Sequence, residues 1–300
     1  MVPEVLSLLR AEEGGLLLDG TVGLGGHAAA WLDASEGGRV LGLDRDGEMA
    51  ARAEENLRNR AARFRVVQGT FSEALRVLRE HEEGFADAAL LDLGANSLHF
   101  DDPSRGFSFA GGPLDARFDR SSGESLAELL ARIPEGELAD AIFLLGGERR
   151  SRRIARAICR ERGRAPIRDA ARLADIGARA AGGPPRGRRR VHPATRTFQA
   201  LRMLVNDELG HLQRGLPEVV GCLRPGGRLA VLAFHSGEDG EVKRAFREGA
   251  RTGRLRLLTK KPLRATAEEV RRNPRARSAR LRAVEVAGTG ETGETRGGKA

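Results

Sequence analysis

The fold is decided by the stretch Leu16-Leu-Leu-Asp-Gly-Thr-Val-Gly-Leu-Gly-Gly-His27, in which an apolar run ends in an aspartate and a glycine-rich turn follows. The apolar run is typical of a buried parallel strand, and the alanines after His27 favour a helix. Glycine lets the backbone approach a ligand without interference from a Cβ atom. A helix that starts there directs free N–H groups and its positive dipole toward the turn. The stretch therefore predicts the first half of a nucleotide-binding crevice; a structural turn without a ligand is the alternative.

A second acidic residue follows at the distance expected for such a crevice. The next apolar run, Arg39-Val-Leu-Gly-Leu-Asp44, ends in an aspartate, about 20 residues or a little more along the chain, where a carboxylate binds a ribose diol. The alternative role for Asp44 is to cap the helix that begins near Gly47. The spacing D-G-T-x-G-x-G-G-H differs from G-x-G-x-x-G, which disfavours a dinucleotide cofactor.

The charge balance predicts a polyanionic partner. The 300 residues include 51 Lys+Arg against 42 Asp+Glu, a formal net charge of +9. Arginine makes planar, bidentate contacts with phosphate; a solvated arginine-rich surface is the alternative. Cys159 and Cys222 lie far apart, as free thiols in a reducing compartment would. The sequence has no apolar run near the ~18 residues of a membrane span and no signal-peptide pattern, so we expect a cytoplasmic protein with no membrane partner.

Strands and helices alternate along the first hundred residues. Apolar runs at 63–68 and 85–92 continue the series of strands, and the second run ends in Asp92. Phe71, just after the third strand, is expected either to lie flat against an adenine ring or to cover the core. Because the strands are apolar throughout, we predict an α/β fold with a Rossmann-like parallel sheet covered by helices on both faces.

The alternation breaks after Asp92. Residues 93–119 lack helical or strand periodicity, which is typical of a functional loop, whereas residues 125–181 are helical in pattern. A fifth strand follows the Pro-Gly-Gly turn at Pro225. The predicted domains are a discontinuous core (1–100 and 200–286), an inserted loop and helical substrate-recognition domain (101–199), and a disordered tail (287–300).

Two further patterns complete the predicted elements. Residues 192–209 have the apolar spacing of one amphipathic helix. Residues 255–259 and 279–285 are predicted to pair as late strands.

Ten short motifs occur in an order shared with one protein family. They are Asp19-Gly-Thr-x-Gly-x-Gly-Gly-His, Gly42-Leu-Asp-Arg-Asp, Leu91-Asp-Leu-Gly, Asp101-Asp-x-x-Arg-Gly-Phe-Ser-Phe, Gly112-Pro-Leu-Asp-x-Arg, Gly147-Glu-Arg, His192-Pro-Ala-Thr-Arg-Thr-Phe-Gln-Ala-Leu-Arg, Pro225-Gly-Gly-Arg-Leu, Phe234-His-Ser and Asn273-Pro-Arg-Ala-Arg-Ser. With them the chain resembles, nearly from end to end, the bacterial 16S rRNA (cytosine-N4)-methyltransferase family, RsmH or MraW. The resemblance implies a class I methyltransferase sheet with an inserted α-helical domain and S-adenosylmethionine as cofactor. It also implies methylation of a cytosine in the decoding region of 16S rRNA, in the small ribosomal subunit.

The resemblance also assigns cofactor-binding residues, motif by motif. They are Gly25, Gly26, His27, Asp44, Phe71, Asp92 and His99. Two motifs depart from the family. The segment Gly94-Ala-Asn-Ser-Leu-His99 stands where the family usually has Gly-Val-Ser-Ser-Pro-Gln, and Gly237 stands where it has leucine. A few family residues that precede Met1, a histidine among them, are not in this sequence. We expect these departures to affect the role of His99 and the closure over the cofactor.

Three residues are candidates for the chemistry. Methyl transfer from a sulfonium is an in-line displacement, which depends chiefly on alignment of the reactants. By analogy with other amino-methyltransferases, Asn96 and the carbonyls near Gly94 would accept the hydrogens of the cytosine amine. His235 and Ser236, after strand five, are candidates for a base or an orienting group; the alternative is that His235 satisfies a loop carbonyl.

The target base has to leave the stacked RNA to reach the cofactor. We expect the inserted domain and the loop Arg186–Arg190 to hold the flanking phosphates. Neutralising Arg188, Arg189 and Arg190 is then expected to weaken RNA binding and to flatten its salt dependence. His192 and Arg196 precede a helix and are assigned to nucleic-acid or domain-junction contacts, with helix capping as the alternative.

Three other functions compete with this interpretation. They are methylation of a protein or small molecule, an NAD-dependent oxidoreductase, and a non-enzymatic RNA-binding factor. The positive charge and the inserted domain disfavour a protein or small-molecule methyltransferase. The glycine spacing disfavours an NAD-dependent oxidoreductase. The glycine turn and the acids at the strand ends disfavour a non-enzymatic RNA-binding factor, which would not need them. The sequence contains no cluster with metal-ligand spacing. It leaves open whether the chain forms a homodimer and whether naked rRNA or an assembled subunit is the substrate.

Overall fold

The computed structural model describes residues 1–182 and 192–288. These residues form two compact units, one within 1–94 and 209–288, the other within 95–208. The predicted basic loop Arg186–Arg190 and residues 289–300 of the predicted tail lie outside the described residues. Among the described helices, none combines the length and the apolar character needed to cross a membrane.

The first unit is built on a sheet of seven strands: β1 (Gly15–Asp19), β2 (Gly38–Asp44), β3 (Phe64–Gln68), β4 (Ala86–Asp92), β5 (Leu223–Ala233), β6 (Leu255–Leu257) and β7 (Arg280–Val286). Their order is β3-β2-β1-β4-β5-β7-β6. Strands β1 to β5 are parallel, and β7 is antiparallel to both of its neighbours. This order confirms the predicted α/β sheet and the late strand pair. It reverses between β1 and β4, where doubly wound sheets bind ligands outside the carboxyl ends of the strands.

The described helices are α1 (Val2–Leu9), α2 (Gly26–Ala34), α3 (Gly47–Asn56), α4 (Ala74–Glu80), α5 (Ser97–Asp101), α6 (Leu126–Arg132), α7 (Glu135–Leu144), α8 (Ser151–Arg164), α9 (Ala170–Ala180), α10 (Thr195–Val205), α11 (Glu208–Gly221), α12 (Ser236–Arg251) and α13 (Ala267–Arg272). Short 3-10 segments are Ala11–Glu13, Arg58–Arg60, Phe71–Glu73, Pro103–Arg105 and Pro274–Ser278. Helices cover both faces of the sheet, as predicted.

The two faces of the sheet each have their own core, because successive side chains of a strand point to opposite sides. In β1, Leu16 and Leu18 pack with residues of α4, α11 and α12. Leu17, between them, packs on the other face with Trp31 of α2 and Val5 of α1. All three leucines are buried. This packing on both faces fixes β1 and therefore the position of the glycine turn that follows it.

The second unit is helical. Helices α6 to α9 confirm the helical pattern predicted for residues 125–181, and they share one core with α10. The unit extends from Ala95 to Glu208, whereas the predicted insertion covered 101–199. The difference arises because Phe198 and Leu201 of α10 are buried in the core of this unit.

Two details of the predicted elements are wrong. The helix predicted for residues 192–209 is broken, because Asp207 adopts a left-handed conformation (φ 45°) between α10 and α11. The segment 93–119 contains α5 and a 3-10 turn instead of being a loop throughout.

The backbone of this segment is held by two side chains. Arg105, a buried residue, donates to the Phe118 carbonyl at 3.0 Å, and the Asn206 side chain donates to the Ala116 carbonyl at 2.7 Å.

Candidate functional site

The glycine turn is fixed between the ends of neighbouring strands. The Gly20 N–H donates to the Leu90 carbonyl at 2.9 Å, and the Val22 N–H donates to the Leu43 carbonyl at 2.8 Å. Gly25 has φ 82°, and a Cβ there would lie 2.8 Å from the Leu57 side chain, so only glycine fits. At Gly26, where α2 begins, nothing lies within 4 Å of the position of a Cβ. The turn therefore presents the start of a helix to open space, as an anion-binding or nucleotide-binding turn does.

Asp44, at the end of β2, organises two loops. One carboxylate oxygen accepts from the Gly23 N–H at 2.9 Å, and the other accepts from the Asp46 N–H at 2.9 Å. The N-cap of α3 is Asp46, which accepts from the Glu48 N–H at 3.0 Å. The capping alternative for Asp44 is therefore wrong. Binding of a ribose by Asp44 stays a prediction. The two hydrogen bonds fix its carboxylate beside the glycine turn.

Two more carboxyl groups, Asp19 and Asp92, end β1 and β4 and hold protons unusually well. Asp19 is only 1% exposed. Burial, together with the nearby charges of Asp92 and Asp44, raises the pKa of Asp19 to about 8. Burial also raises the pKa of Asp92 to about 7. Carboxyl groups of this kind gain from a cationic partner, which would favour their charged form.

Thr21, a residue not among the predicted site residues, links these two strand ends. Its hydroxyl accepts from the Asp92 N–H at 2.6 Å, and its own N–H donates to the Asp19 carboxyl at 3.2 Å. Its position in the sequence, directly after Asp19-Gly20 and within the glycine turn, is the feature that could have identified it as a site residue.

His27, the second residue of α2, faces Asp92. The His27 Nδ1 lies 3.7 Å from a carboxylate oxygen of Asp92, and burial lowers the pKa of His27 to about 4. The His27 Nε2 and the Asp92 Oδ1 are both buried without a hydrogen-bond partner among the described residues. Because buried polar atoms are nearly always hydrogen-bonded, these two atoms indicate a polar ligand.

Phe71 follows β3 and packs against a glycine of α11. A Cβ at Gly215 would lie 2.2 Å from the Phe71 ring, so the ring occupies the space that the absent side chain leaves. Phe71 is half-buried at the edge of the core. Stacking of an adenine ring on the other face of Phe71 stays a prediction.

His235 is the N-cap residue of α12. Its Nδ1 accepts from the Glu238 N–H at 3.3 Å, so it satisfies an N–H group and not the loop carbonyl considered as its alternative role. The His235 Nε2 lies 3.0 Å from a Glu238 carboxylate oxygen, in an orientation that does not make a hydrogen bond. Ser236 is the first residue of α12. Glu238, a buried residue whose other oxygen accepts from the Phe234 N–H at 3.0 Å, was missed by sequence reasoning.

The remaining predicted residues belong to the second unit. Asn96 is the N-cap of α5, where its side chain accepts from the His99 N–H at 3.2 Å. His99 is buried and stacks on Phe107, with ring centroids 5.0 Å apart. Their assignments to the reacting amine and to the cofactor stay predictions.

His192 and Arg196 also lie in the second unit. The His192 Nδ1 accepts from the Ala194 N–H at 3.2 Å, in the turn before α10. The His192 ring stacks on Phe109 with centroids 4.7 Å apart. Arg196 donates to the Gly147 carbonyl at 3.4 Å. The predicted contacts of these residues with nucleic acid stay predictions.

Comparison with known proteins gives a family match along nearly the whole chain. A family model described as the MraW methylase family matches residues 1–287. The chain is 43% identical to ribosomal RNA small subunit methyltransferase H of Granulibacter bethesdensis, over 95% of this chain and 90% of that protein. It is 45% identical to the protein of the same name from Pelobacter propionicus, over 95% and 96%.

Solved structures similar to this chain share a much lower sequence identity with it. An rRNA methylase from Streptococcus thermophilus is 10% identical with a TM-score of 0.44, over 96% of this chain and 94% of that chain. TrmN from Thermus thermophilus is 13% identical with a TM-score of 0.45, over 95% of this chain and 48% of that chain.

Proposed function

The chain belongs to the MraW methylase family, and from this premise we propose that it transfers a methyl group from S-adenosylmethionine to small-subunit ribosomal RNA. The acceptor we propose is N4 of a cytosine in the decoding region of 16S rRNA. The observation that carries the proposal is the pair of buried, unpartnered polar atoms of His27 and Asp92 beside the open start of α2.

The residues of the first unit fit this cofactor. S-adenosylmethionine supplies an activated methyl group on a sulfonium, and it also carries an adenine, a ribose diol and an ammonium group. Asp44 would accept from the diol, and Phe71 would cover the adenine. Asp19 and Asp92, whose pKa values are raised by burial, would face a cationic ligand that stabilises their charged forms. Gly25 and Gly26, which have no Cβ atom, would let the cofactor approach the backbone of the turn.

The same chain would orient the acceptor. The amine of cytosine is a weak nucleophile, so alignment and acceptors for its hydrogens matter most. We assign these acceptors to Asn96 and to the carbonyls near Gly94. Because the His235 Nδ1 accepts from the Glu238 N–H, we assign the ring proton to Nε2. We therefore assign His235, with Ser236, to orienting the base by donation and not to removing a proton.

The second unit would bind the RNA around the target. Helix α8 exposes Arg153, Arg156 and Arg160, and cations of this kind bind phosphates without reading sequence. Because a stacked base cannot reach a buried methyl donor, we propose that the cytosine is flipped out.

The proposed function is tested by incubating the protein with methyl-labelled S-adenosylmethionine and either naked 16S rRNA or purified small subunits. We expect the label in rRNA, at the N4 position of one cytosine when the nucleotide is mapped. Label in a protein fraction, or none with either substrate, would exclude the proposed reaction. The two substrates also distinguish free rRNA from an assembled subunit.

Replacement of Gly215 by alanine is expected to weaken cofactor binding. The new Cβ would displace the Phe71 ring, and since base–aromatic stacking contributes about 1–3 kcal/mol, we expect Kd to rise by roughly 5- to 150-fold. Gly221→Ala is the matched control on α11, because its Cβ would lie 3.5 Å from Leu75, an ordinary contact. Calorimetric titration with S-adenosylmethionine measures both variants; equal affinities would show that the position of Phe71 does not matter.

A further inference from the structure

The lysines of this chain are few and clustered. Only four of its 51 basic residues are lysines, and three of them are Lys243, Lys260 and Lys261. Lysine presents a compact charge with three rotatable donors, whereas arginine prefers planar, bidentate partners. Lysine can therefore bind a phosphate oxygen as a point charge, without the bidentate geometry that arginine favours.

Two of these lysines line one small cleft of the first unit. Lys243 and Arg247, one turn apart on α12, stand on one side, and Lys260 stands on the other. Phe246 and Leu257 also line the cleft, together with Thr259 and Arg282. The cavity volume is about 10 Å³, enough for a water-sized group such as one phosphate oxygen, but not for a nucleobase. We call the lining cations Lys243, Arg247 and Lys260, together with Lys261, which follows Lys260 in the chain, the lysine cleft.

The cations of the lysine cleft differ from their neighbours in having no acidic partner. On the same helix, Arg244 pairs with Glu241, and Arg251 pairs with Glu248 at 2.6 Å. Arg282, at the inner side, pairs with Asp239 at 2.7 Å. Within residues 1–182 and 192–288, none of the four cations of the lysine cleft makes an ion pair. Their positive charge is thus available to an external anion.

The segment that carries Lys260 and Lys261 is fixed at both ends. Before it, the Thr259 hydroxyl accepts from the Ala283 N–H at 3.0 Å. After it, Leu263 exchanges two backbone hydrogen bonds of 2.9 Å with Leu281. The lysines therefore project from a turn anchored on β7, and such preorganisation lowers the entropy lost on binding.

This turn lies level with the end of β5. Leu281 pairs with Leu232, next to the last residue of β5. Two strand spacings of 4.7–4.9 Å separate the turn from β5, or roughly 10 Å. His235 and Ser236 follow this end of β5 after Phe234. The lysine cleft and the residues proposed to orient the base therefore share one end of the first unit.

We propose that the lysine cleft binds backbone phosphates of the RNA substrate close to the target nucleotide. The identity of the polyanion rests on the proposed function. The unpaired cations favour an anion, and the small cavity admits a phosphate oxygen but not a nucleobase. The position beside the end of β5 suits nucleotides that flank the flipped base.

The test compares two double variants that remove the same charge from the first unit. Lys243→Gln/Lys260→Gln removes two cations of the lysine cleft, and Arg244→Gln/Arg251→Gln removes two paired cations of α12. RNA affinity is measured with 16S rRNA from about 50 to about 200 mM salt. We expect the lysine variant to lose about 1.4 from the slope of log K against log salt, at about 0.7 for each phosphate contact. The arginine control should keep the slope of the unmodified protein.

Two further readouts separate the possible failures. Affinity for S-adenosylmethionine should be unchanged in both double variants, which shows that each is folded. If the unmodified protein methylates rRNA and the lysine variant keeps its salt slope, the lysine cleft is not a phosphate site and the proposed function stands. If the unmodified protein neither binds nor methylates rRNA, the proposed function and the inference that rests on it both fail.

Discussion

Replacing Asp44 with alanine is expected to weaken binding of S-adenosylmethionine by at least about 100-fold. The ribose would lose the hydrogen bonds that we propose it donates to Asp44, and each hydrogen bond to a charged group contributes about 1.5–3 kcal/mol. The Gly23 and Asp46 N–H groups, which it accepts from at 2.9 Å, would also be released, so the glycine turn would lose its fixed position. Calorimetric titration measures the affinity, and thermal unfolding shows whether the transition stays cooperative.

Asp33→Ala is the matched control for this substitution. Asp33 lies on α2 of the same unit, and its exposed carboxylate pairs with Arg60 at 2.6 Å, a contact of little energetic consequence. The control should bind the cofactor as the unmodified protein does. An Asp44→Ala protein that unfolds cooperatively and binds within about threefold of the control would remove Asp44 from the cofactor site.

Replacing Asp19 with asparagine is expected to stabilise the protein increasingly as the pH rises. The pKa of Asp19 is raised to about 8 by burial, while an unfolded aspartate titrates near 3.9. Between these values the folded state keeps a proton that the unfolded state has lost. The free energy of unfolding therefore falls as the pH rises, by up to about 1.4 kcal/mol for each pH unit. Asparagine keeps the acceptor for the Thr21 N–H and has no proton to lose.

Urea unfolding of both proteins from about pH 5.5 to about pH 7.5 measures this effect. The quantity of interest is the difference in the free energy of unfolding between variant and unmodified protein, which should grow steadily over this range. Asp33→Asn, at an exposed position, should give a constant difference. A constant difference for Asp19→Asn would mean that the buried carboxyl group is already charged in the folded protein.

The sequence was sufficient for the sheet and for the turn at its centre, because both depend on local patterns. Apolar runs such as Leu16–Leu18 end in an acid, and parallel strands bring those ends to one edge. The glycines of the turn have a local reason too, since Gly25 needs a positive φ. The position of Asp44 at the end of a strand could be predicted from the apolar run before it, but the choice of Asp46 as the helix cap needed the structure.

Features that depend on distant contacts could not be predicted. The ordering of residues 93–119 rests on Arg105 and on Asn206, roughly ninety residues from the carbonyl of Ala116 that it binds. The break before α11 rests on the backbone of Asp207, a residue that the apolar spacing placed inside a helix. The lysine cleft joins α12 to a turn anchored on β7, and no spacing along the chain connects them.

The insertion of a whole unit between β4 and β5 has a consequence for how the chain reaches its native state. Leu90 pairs with Ala230, about 140 residues later, so this seam closes a very long loop, and contacts of such separation slow folding. If residues 95–208 collapse first on their own core, the effective length of that loop shrinks sharply. During synthesis one edge of β4 would stay unpaired until β5 emerges, which exposes this edge to wrong pairing with another nascent chain.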